Sequence, residues 1–160
     1  MIWFCSVSCD NNTDDDTIPT MMEDTTEQPM LEPNNSAQVT AVSTTGQSGS
    51  ISINVTIESP DTGCDQYADW WEVITSDGSE LIYRRILAHS HVNEQPFTRS
   101  GTAPLGAETE VIVRAHMNNR GYGNVVFRGS VTAGFVQEIL ADDVGLDLAT
   151  AEPLPDGCAF

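Results

Sequence analysis

The chain has 160 residues, of which 24 are acidic and six are basic, so its formal net charge is −18 and its pI is about 4.1. This length is enough for one domain with a hydrophobic core, and no apolar run reaches the roughly 18 residues that a membrane-spanning helix needs. Because a strongly acidic chain is repelled by phosphate backbones, we expect no nucleic-acid partner.

The charge is unevenly distributed along the chain. Residues 1–36 contain eight acids and no base, and residues 134–160 contain six acids and no base. Residues 37–133 contain ten acids and all six bases, which are arginines, and the chain has no lysine. The middle is therefore close to neutral, and the acidic, lysine-free composition fits a saline habitat.

The first nine residues, MIWFCSVSC, are largely apolar, and a polar acidic stretch follows them. Ser8 before Cys9 resembles the end of a bacterial lipoprotein signal, which implies lipidation at Cys9 and a periplasmic or outer-surface position in the cell envelope. Only eight residues precede Cys9 and none is basic, whereas a signal peptide has a basic start and an apolar stretch of about 7–15 residues. We therefore expect the gene to start upstream or the chain to be trimmed; the alternative is an ordinary N-terminus, and an exported protein without the lipid would be secreted.

Composition divides the chain into four segments. Residues 1–9 are the remnant of the signal. Residues 10–36 have neither a strand nor a helix period and cannot bury enough apolar surface to offset their ordering entropy, so we expect a disordered acidic tether. Residues 37–133 are the folded domain, and residues 134–160 are an acidic C-terminal segment for which a short helix and an edge strand both stay open.

The folded domain is predicted to be a series of short strands. Residues 51–58 alternate between apolar and polar side chains, the period of a strand with one buried face. Asp77-Gly78 between two β-rich runs predicts a tight hairpin with positive φ at both turn residues, and residues 118–123, with two glycines, predict a looser one. The other predicted strands are 37–45, 69–75, 80–87, 96–105, 110–117 and 124–131.

About seven evenly spaced strands, with Trp70-Trp71 on the third, resemble an immunoglobulin or fibronectin type III module. The resemblance covers residues 37–133 and implies an all-β antiparallel β-sandwich with one of the two tryptophans in its core. Cys64 and Cys158 form an even pair in an exported domain, which predicts a disulfide that ties the C-terminal segment back. Two free buried thiols are the alternative.

Two sets of side chains are candidates for a binding site. Arg114, His116 and Arg128 are predicted to share the outer face of one sheet, where they could bind a carboxylate, sulfate or phosphate group. Pairing with cross-strand acids and docking of the acidic C-terminal segment are the alternatives. His89, His91 and His116 could together bind copper or zinc, since imidazole suits both; otherwise they are surface or hydrogen-bonded histidines.

Catalytic motifs are absent from the sequence: no Gly-x-Ser-x-Gly, no His-Glu-x-x-His and no phosphate-binding glycine loop occurs. We therefore expect no enzyme and no cofactor unless copper or zinc binds. The favoured function is an exported, lipid-anchored binding or adhesion module whose partner is an anionic small molecule, a glycan or a protein, with membrane contact only through the anchor. An extracytoplasmic copper- or zinc-binding protein and a structural spacer or assembly domain are the alternatives.

Overall fold

Side-chain alternation sets the strands, as residues 51–58 show: Ile51, Ile53, Val55 and Ile57 are fully buried, and the polar residues between them are partly exposed. The computed structural model describes residues 32–159. Their strands are β1 (Gln38–Gln47), β2 (Ser50–Glu58), β3 (Ala68–Thr75), β4 (Leu81–Ile86), β5 (Phe97–Ala103), β6 (Val111–Met117), β7 (Gly121–Tyr122), β8 (Val125–Ser130) and β9 (Gly134–Ile139), and a 3-10 helix follows at Leu146–Thr150.

The strands form two antiparallel sheets. The small sheet has the order β1-β2-β5, and the large sheet has the order β4-β3-β6-β8-β9 with β7 paired to the end of β6. Their inner faces share one hydrophobic core, in which Ile53 and Phe97 of the small sheet belong with Trp71 and Val113 of the large sheet. The predicted all-β sandwich is confirmed, with nine strands.

The large sheet extends beyond residue 133, the predicted limit of the sandwich. β9 pairs with β8 from Val125–Ile139 to Ser130–Gly134 and forms the edge of the sheet. The edge-strand alternative for this stretch is therefore the one that the structure adopts. No helix within residues 32–159 is long and apolar enough to cross a membrane.

The two central strands of the large sheet, β3 and β6, are buried on both faces. Trp71 lies in the main core, whereas Trp70 points to the opposite face and is also buried. On that outer face Ile74 and Ile112 form a second, smaller apolar cluster with Leu148 of the 3-10 helix. The outer face of the large sheet is therefore covered by the segment that follows β9.

The β3–β4 hairpin corrects the expectation of positive φ at both turn residues. Gly78 has φ 76°, but no non-glycine residue in the described part of the chain has a positive φ, Asp77 included. The connection is instead held by the Asp77 side chain, whose Oδ1 accepts hydrogen bonds from Thr75 Oγ1 at 2.6 Å and from the Ser79 backbone N at 3.0 Å. These bonds lower the pKa of Asp77 to about 2.

The disulfide between Cys64 and Cys158 is confirmed, with Cα atoms 5.5 Å apart and a sequence separation of 94. It joins the stretch before β3 to the stretch after the 3-10 helix, and the Ala159 backbone N donates to the Ala88 carbonyl nearby. The C-terminal segment is therefore fastened to the large sheet at both its ends, by β9 and by the disulfide.

The beginning of the described chain also contacts the large sheet. Asn34 donates its backbone N–H to Asn124 Oδ1 at 2.8 Å, and Ser36 donates to the Gly121 carbonyl at 2.6 Å. These residues lie in the predicted tether 10–36, so its last residues belong to the folded part. The predicted signal remnant, the predicted lipidation site Cys9 and most of the predicted tether lie outside the described residues.

Candidate functional site

A cluster of charges lies on the outer face of the large sheet. Strand register sets it, because Glu72 on β3 is the cross-strand partner of Arg84 on β4 and of Arg114 on β6. Glu72 Oε2 accepts from Arg84 Nε at 2.8 Å, and Glu72 Oε1 accepts from Arg114 Nε at 2.8 Å. All three side chains are buried, so the cluster places two guanidinium groups around one carboxylate, with one net positive charge.

The segment after β9 supplies the remaining acceptors; we call residues 141–153 the C-terminal cover. Arg114 donates to the carbonyls of Val144 at 2.7 Å and Gly145 at 2.8 Å. Arg84 donates to the Leu148 carbonyl at 2.6 Å, and its other terminal nitrogen donates to the carbonyls of Ala151 and Pro153. Carbonyl dipoles thus offset the excess positive charge, since a buried charge is stable only when it is paired or hydrogen-bonded.

Aromatic rings complete the surroundings of the cluster. The Arg84 guanidinium lies 4.4 Å from the Trp70 ring centre, and that of Arg114 lies 3.5 Å from the Tyr122 ring centre. The His116 ring stacks on Trp70 with ring centres 3.6 Å apart. Burial, together with the Glu72 charge, raises the pKa of Tyr122 well above its ordinary value. The hydroxyl of Tyr122 therefore stays neutral over the physiological range.

Each residue of the predicted anion-binding face has a partner within the domain. Arg114 is 1% exposed and does not lie on an open surface, because the C-terminal cover lies over it. His116 Nδ1 lies 2.7 Å from Asp69 Oδ1, and Arg128 pairs with Glu138 at 2.9 Å. Arg114 and His116 both contact Tyr122. Cross-strand pairing and docking of the C-terminal segment, the two alternatives, are both present in this geometry.

A pocket of about 270 Å³ reaches this cluster from the side. The Arg114 guanidinium has five N–H donors, three of which are used by Glu72, Val144 and Gly145. Arg114 is also among the residues that line the pocket. The other lining residues are Asn34, Arg120, Gly121, Tyr122, Gly123, Asn124, Leu140, Ala141, Asp142, Val144 and Leu146.

The three predicted metal-binding histidines do not come together. His116 points to the outer face of the large sheet and pairs with Asp69, whereas His89 and His91 lie in the loop between β4 and β5. Glu94 of the same loop takes the third place: one ligand atom each from His89, His91 and Glu94 lie within 4.8 Å of one another. Among the described residues, the group of possible metal ligands therefore contains His89, His91 and Glu94, and His116 is not part of it.

His91 is the buried member of this group. Its ring is 2% exposed and stacks on Phe97 with ring centres 3.7 Å apart. Burial, with smaller effects from the positive charges of Arg99 and His89, lowers the pKa of His91 to about 4. The ring is therefore neutral at pH 7, with one N–H group and one lone pair on its nitrogens.

Three residues of the two clusters are not predicted from the sequence: Glu94, Asp61 and Tyr122. Only Glu94 has a local sequence pattern that could have indicated it. Glu94 follows His91 by three residues, a spacing at which a loop can bring both side chains to one point. Asp61 lies 30 residues before His91 and yet accepts its backbone N–H at 2.8 Å. Tyr122 contacts Arg114 and His116 only because β7 folds back on β6. Such contacts depend on strand pairing and have no local pattern.

The chain resembles a protein of Halomicrobium mukohataei described as "Putative lipoprotein". The two are 42% identical over 90 residues, which is 56% of this chain and 43% of the relative. The chain thus matches less than half the length of that protein. No family model matches the chain, and no solved structure matches it.

Proposed function

We propose that the chain is an exported, lipid-anchored and non-enzymatic binding or adhesion module. The observation that carries the proposal is the disulfide between Cys64 and Cys158, because such bonds form and persist in extracytoplasmic compartments. The name of the Halomicrobium relative supports the lipid anchor. In this proposal Cys9 carries the lipid, and the acidic segment after it holds the sandwich away from the membrane.

The immunoglobulin-like character of the sandwich belongs to the same proposal. In that family the third, sixth and seventh strands form one sheet and the first, second and fifth lie in the other. Here β3, β6 and β8 are neighbours in the large sheet, with β7 a two-residue strand beside β6, and β1, β2 and β5 form the small sheet. The fourth strand, β4, joins the large sheet beside β3. This strand order supports the family resemblance of residues 37–133.

The binding surface that we propose is the pocket beside Arg114. Arg114, Arg120 and Tyr122 are among the residues that line it. Arginine donors together with an aromatic face suit an anionic group of a small molecule, a glycan or a protein. Asp142 also lines the pocket and opposes a second negative charge, so a ligand with a single anionic group fits best.

The anchor is tested by expressing the gene with its native upstream DNA and labelling cells with a fatty-acid analogue. We expect labelled protein in the membrane fraction, loss of the label in Cys9→Ser, and retention of the label in the matched variant Cys5→Ser. A labelled Cys9→Ser protein would refute lipidation at that residue.

The pocket is tested by titrating acetate and inorganic phosphate into the protein and following backbone NMR shifts. We expect shifts centred on Tyr122 and Asn124 that Arg120→Ala weakens, whereas Arg85→Ala on the other side of the sheet leaves them unchanged. Shifts of equal size in Arg120→Ala would refute the pocket as the binding surface.

A structural spacer or assembly domain is the second candidate. It is favoured by one observation: Val136 on the edge strand β9 is 73% exposed, and an edge strand offers unpaired backbone groups to another chain. Analytical ultracentrifugation decides between the candidates. Self-association that Val136→Lys abolishes supports assembly, and a monomer at high concentration supports the binding module.

A further inference from the structure

The loop between β4 and β5 brings three metal-binding side chains to one point at the end of the sandwich. His89 and His91 have ring centres 4.5 Å apart. Glu94 follows His91 by three residues, and its backbone N–H donates to the His91 carbonyl at 3.1 Å. The loop is fixed by Asp61, whose Oδ2 accepts the backbone N–H of His91 at 2.8 Å and whose Oδ1 accepts that of Ala68 at 3.0 Å. The backbone that carries the cluster is therefore tied to the start of β3.

His91 supplies an independent observation that points to a ligand. Both of its ring nitrogens are buried and have no hydrogen-bond partner. A neutral imidazole needs an acceptor for its N–H and an electron-pair acceptor for its other nitrogen, and buried polar groups of this kind are otherwise paired in folded proteins. A bound anion satisfies only the N–H group, whereas a metal ion satisfies the lone pair.

We propose that His89, His91 and Glu94 bind one divalent transition-metal ion of the zinc or copper(II) class. Two imidazoles and one carboxylate suit these ions, and three protein ligands leave a fourth position open for water or another ligand. This inference goes beyond the proposed binding module and does not depend on its lipid anchor.

The geometry is close to what such an ion requires. Bonds of about 2.1 Å in a tetrahedron place ligand atoms about 3.4 Å apart, whereas the three ligand atoms here lie within 4.8 Å of one another. To bring the ligand atoms to these distances, the exposed side chains of His89 and Glu94 move towards His91. The His91 ring stays in place, because its backbone is hydrogen-bonded to Asp61 and its ring stacks on Phe97.

Asp61 is the carboxylate that could orient the His91 ring for metal binding. Its Oδ2 lies 3.9 Å from His91 Nδ1, which is beyond hydrogen-bond distance. Metal-bound histidines commonly donate their other ring N–H to a carboxylate, which orients the ring. Asp61 is therefore a positioning residue in this proposal, and Nε2 of His91 is the nitrogen that we assign to the metal.

Arg99 is expected to weaken metal binding at this cluster. It pairs with Glu94 at 3.0 Å, and its guanidinium lies 5.4 Å from the Phe97 ring centre. A metal ion competes with Arg99 for the Glu94 carboxylate and is repelled by its charge. Removal of the Arg99 charge is therefore expected to strengthen binding, which a merely structural role for this loop does not predict.

The test uses the full 160-residue chain with Cys5→Ser and Cys9→Ser, so that free thiols do not bind the metal. Calorimetric titration with zinc chloride is expected to show one ion per chain. His89→Ala and Glu94→Gln are each expected to weaken binding at least about tenfold, and Arg99→Met to tighten it about fivefold.

Glu110→Gln is the matched control, because Glu110 is 60% exposed beside Arg128 as Glu94 is 59% exposed beside Arg99. It is expected to bind zinc like the parent chain. Histidine ring NMR is expected to show zinc-induced shifts at His91 and none at His116. No binding at millimolar zinc, equal affinity in His89→Ala, or shifts at His116 alone would each overturn the proposal.

Discussion

Glu72→Gln is expected to destabilise the domain more than any exposed acidic substitution does. The substitution keeps the shape of the side chain and removes the one carboxylate that lies between Arg84 and Arg114. Both guanidinium groups then remain buried beside an amide, and the C-terminal cover offers them only neutral carbonyls. Removing one partner of a buried ion pair costs about 3–5 kcal/mol.

A loss of this size is a large share of the roughly 5–15 kcal/mol that stabilises an ordinary domain. Because 1 kcal/mol corresponds to about 3–4 °C in a domain of this size, the melting temperature is expected to fall by roughly 9–20 °C. Urea unfolding followed by tryptophan fluorescence measures the loss, since Trp70 lies beside the cluster and Trp71 lies in the core.

The control for this measurement is Glu80→Gln, because Glu80 is exposed just before β4 and is not part of the buried cluster. It is expected to change the free energy of unfolding by less than about 0.5 kcal/mol. If Glu72→Gln also falls within this margin, the carbonyls of the C-terminal cover alone balance the two arginines, and the argument from an uncompensated buried charge is wrong.

Three further outcomes follow from the structure. Reduction of the disulfide Cys64–Cys158 is expected to lower the free energy of unfolding by up to about 4–5 kcal/mol, because it releases a closed loop of 94 residues; equal urea midpoints with and without reductant would contradict this. Gly145→Ala is expected to lower the free energy of unfolding by about 1–2 kcal/mol, because Gly145 has φ 59° and a Cβ there would lie 2.6 Å from the Gly78 carbonyl oxygen. It is also expected to speed amide hydrogen exchange in residues 141–153, and unchanged exchange would contradict this. In the metal-free protein the His91 ring is expected to titrate by NMR near pH 4. The unfolded chain then takes up this proton first, so the contribution of His91 to stability is complete above pH 6.5 and declines as the pH falls towards 4; a midpoint near 6.5 would contradict this.

Side-chain alternation was sufficient to predict the sandwich but not its outer layer. Each of the seven predicted runs is a strand, because apolar and β-branched runs bounded by turn residues favour strands both where one face is buried, as in β2, and where both are, as in β3 and β6. The sequence does not decide β9 (Gly134–Ile139), because the spacing of Phe135, Val136, Ile139 and Leu140 also fits one face of a short helix. The hairpin at Asp77-Gly78 is predicted correctly, but the expected positive φ at Asp77 is wrong. Asp77 stabilises the turn through hydrogen bonds to its side chain instead.

The candidate sites were predictable as residue types and not as groups. Alternation correctly places the side chains of Arg114, His116 and Arg128 on the outer face of the large sheet. It carries no information on the contacts between the C-terminal cover and Arg114. His116 was grouped with the other histidines because residue identity carries no distance. Its stacking on Trp70 results from the β3–β6 register, which pairs these two residues directly.

The position of the C-terminal cover in the chain has a consequence for the order in which the protein can mature. Residues 141–153 leave the ribosome after all nine strands, and Cys158 leaves later still. Until then the sheet carries Arg84 and Arg114 without the carbonyls that accept their N–H groups. The sandwich is therefore expected to reach the stability of the folded state only after residues 141–158 have been synthesised and the disulfide has closed, and a chain that stops before residue 141 is expected to be a substrate for proteases.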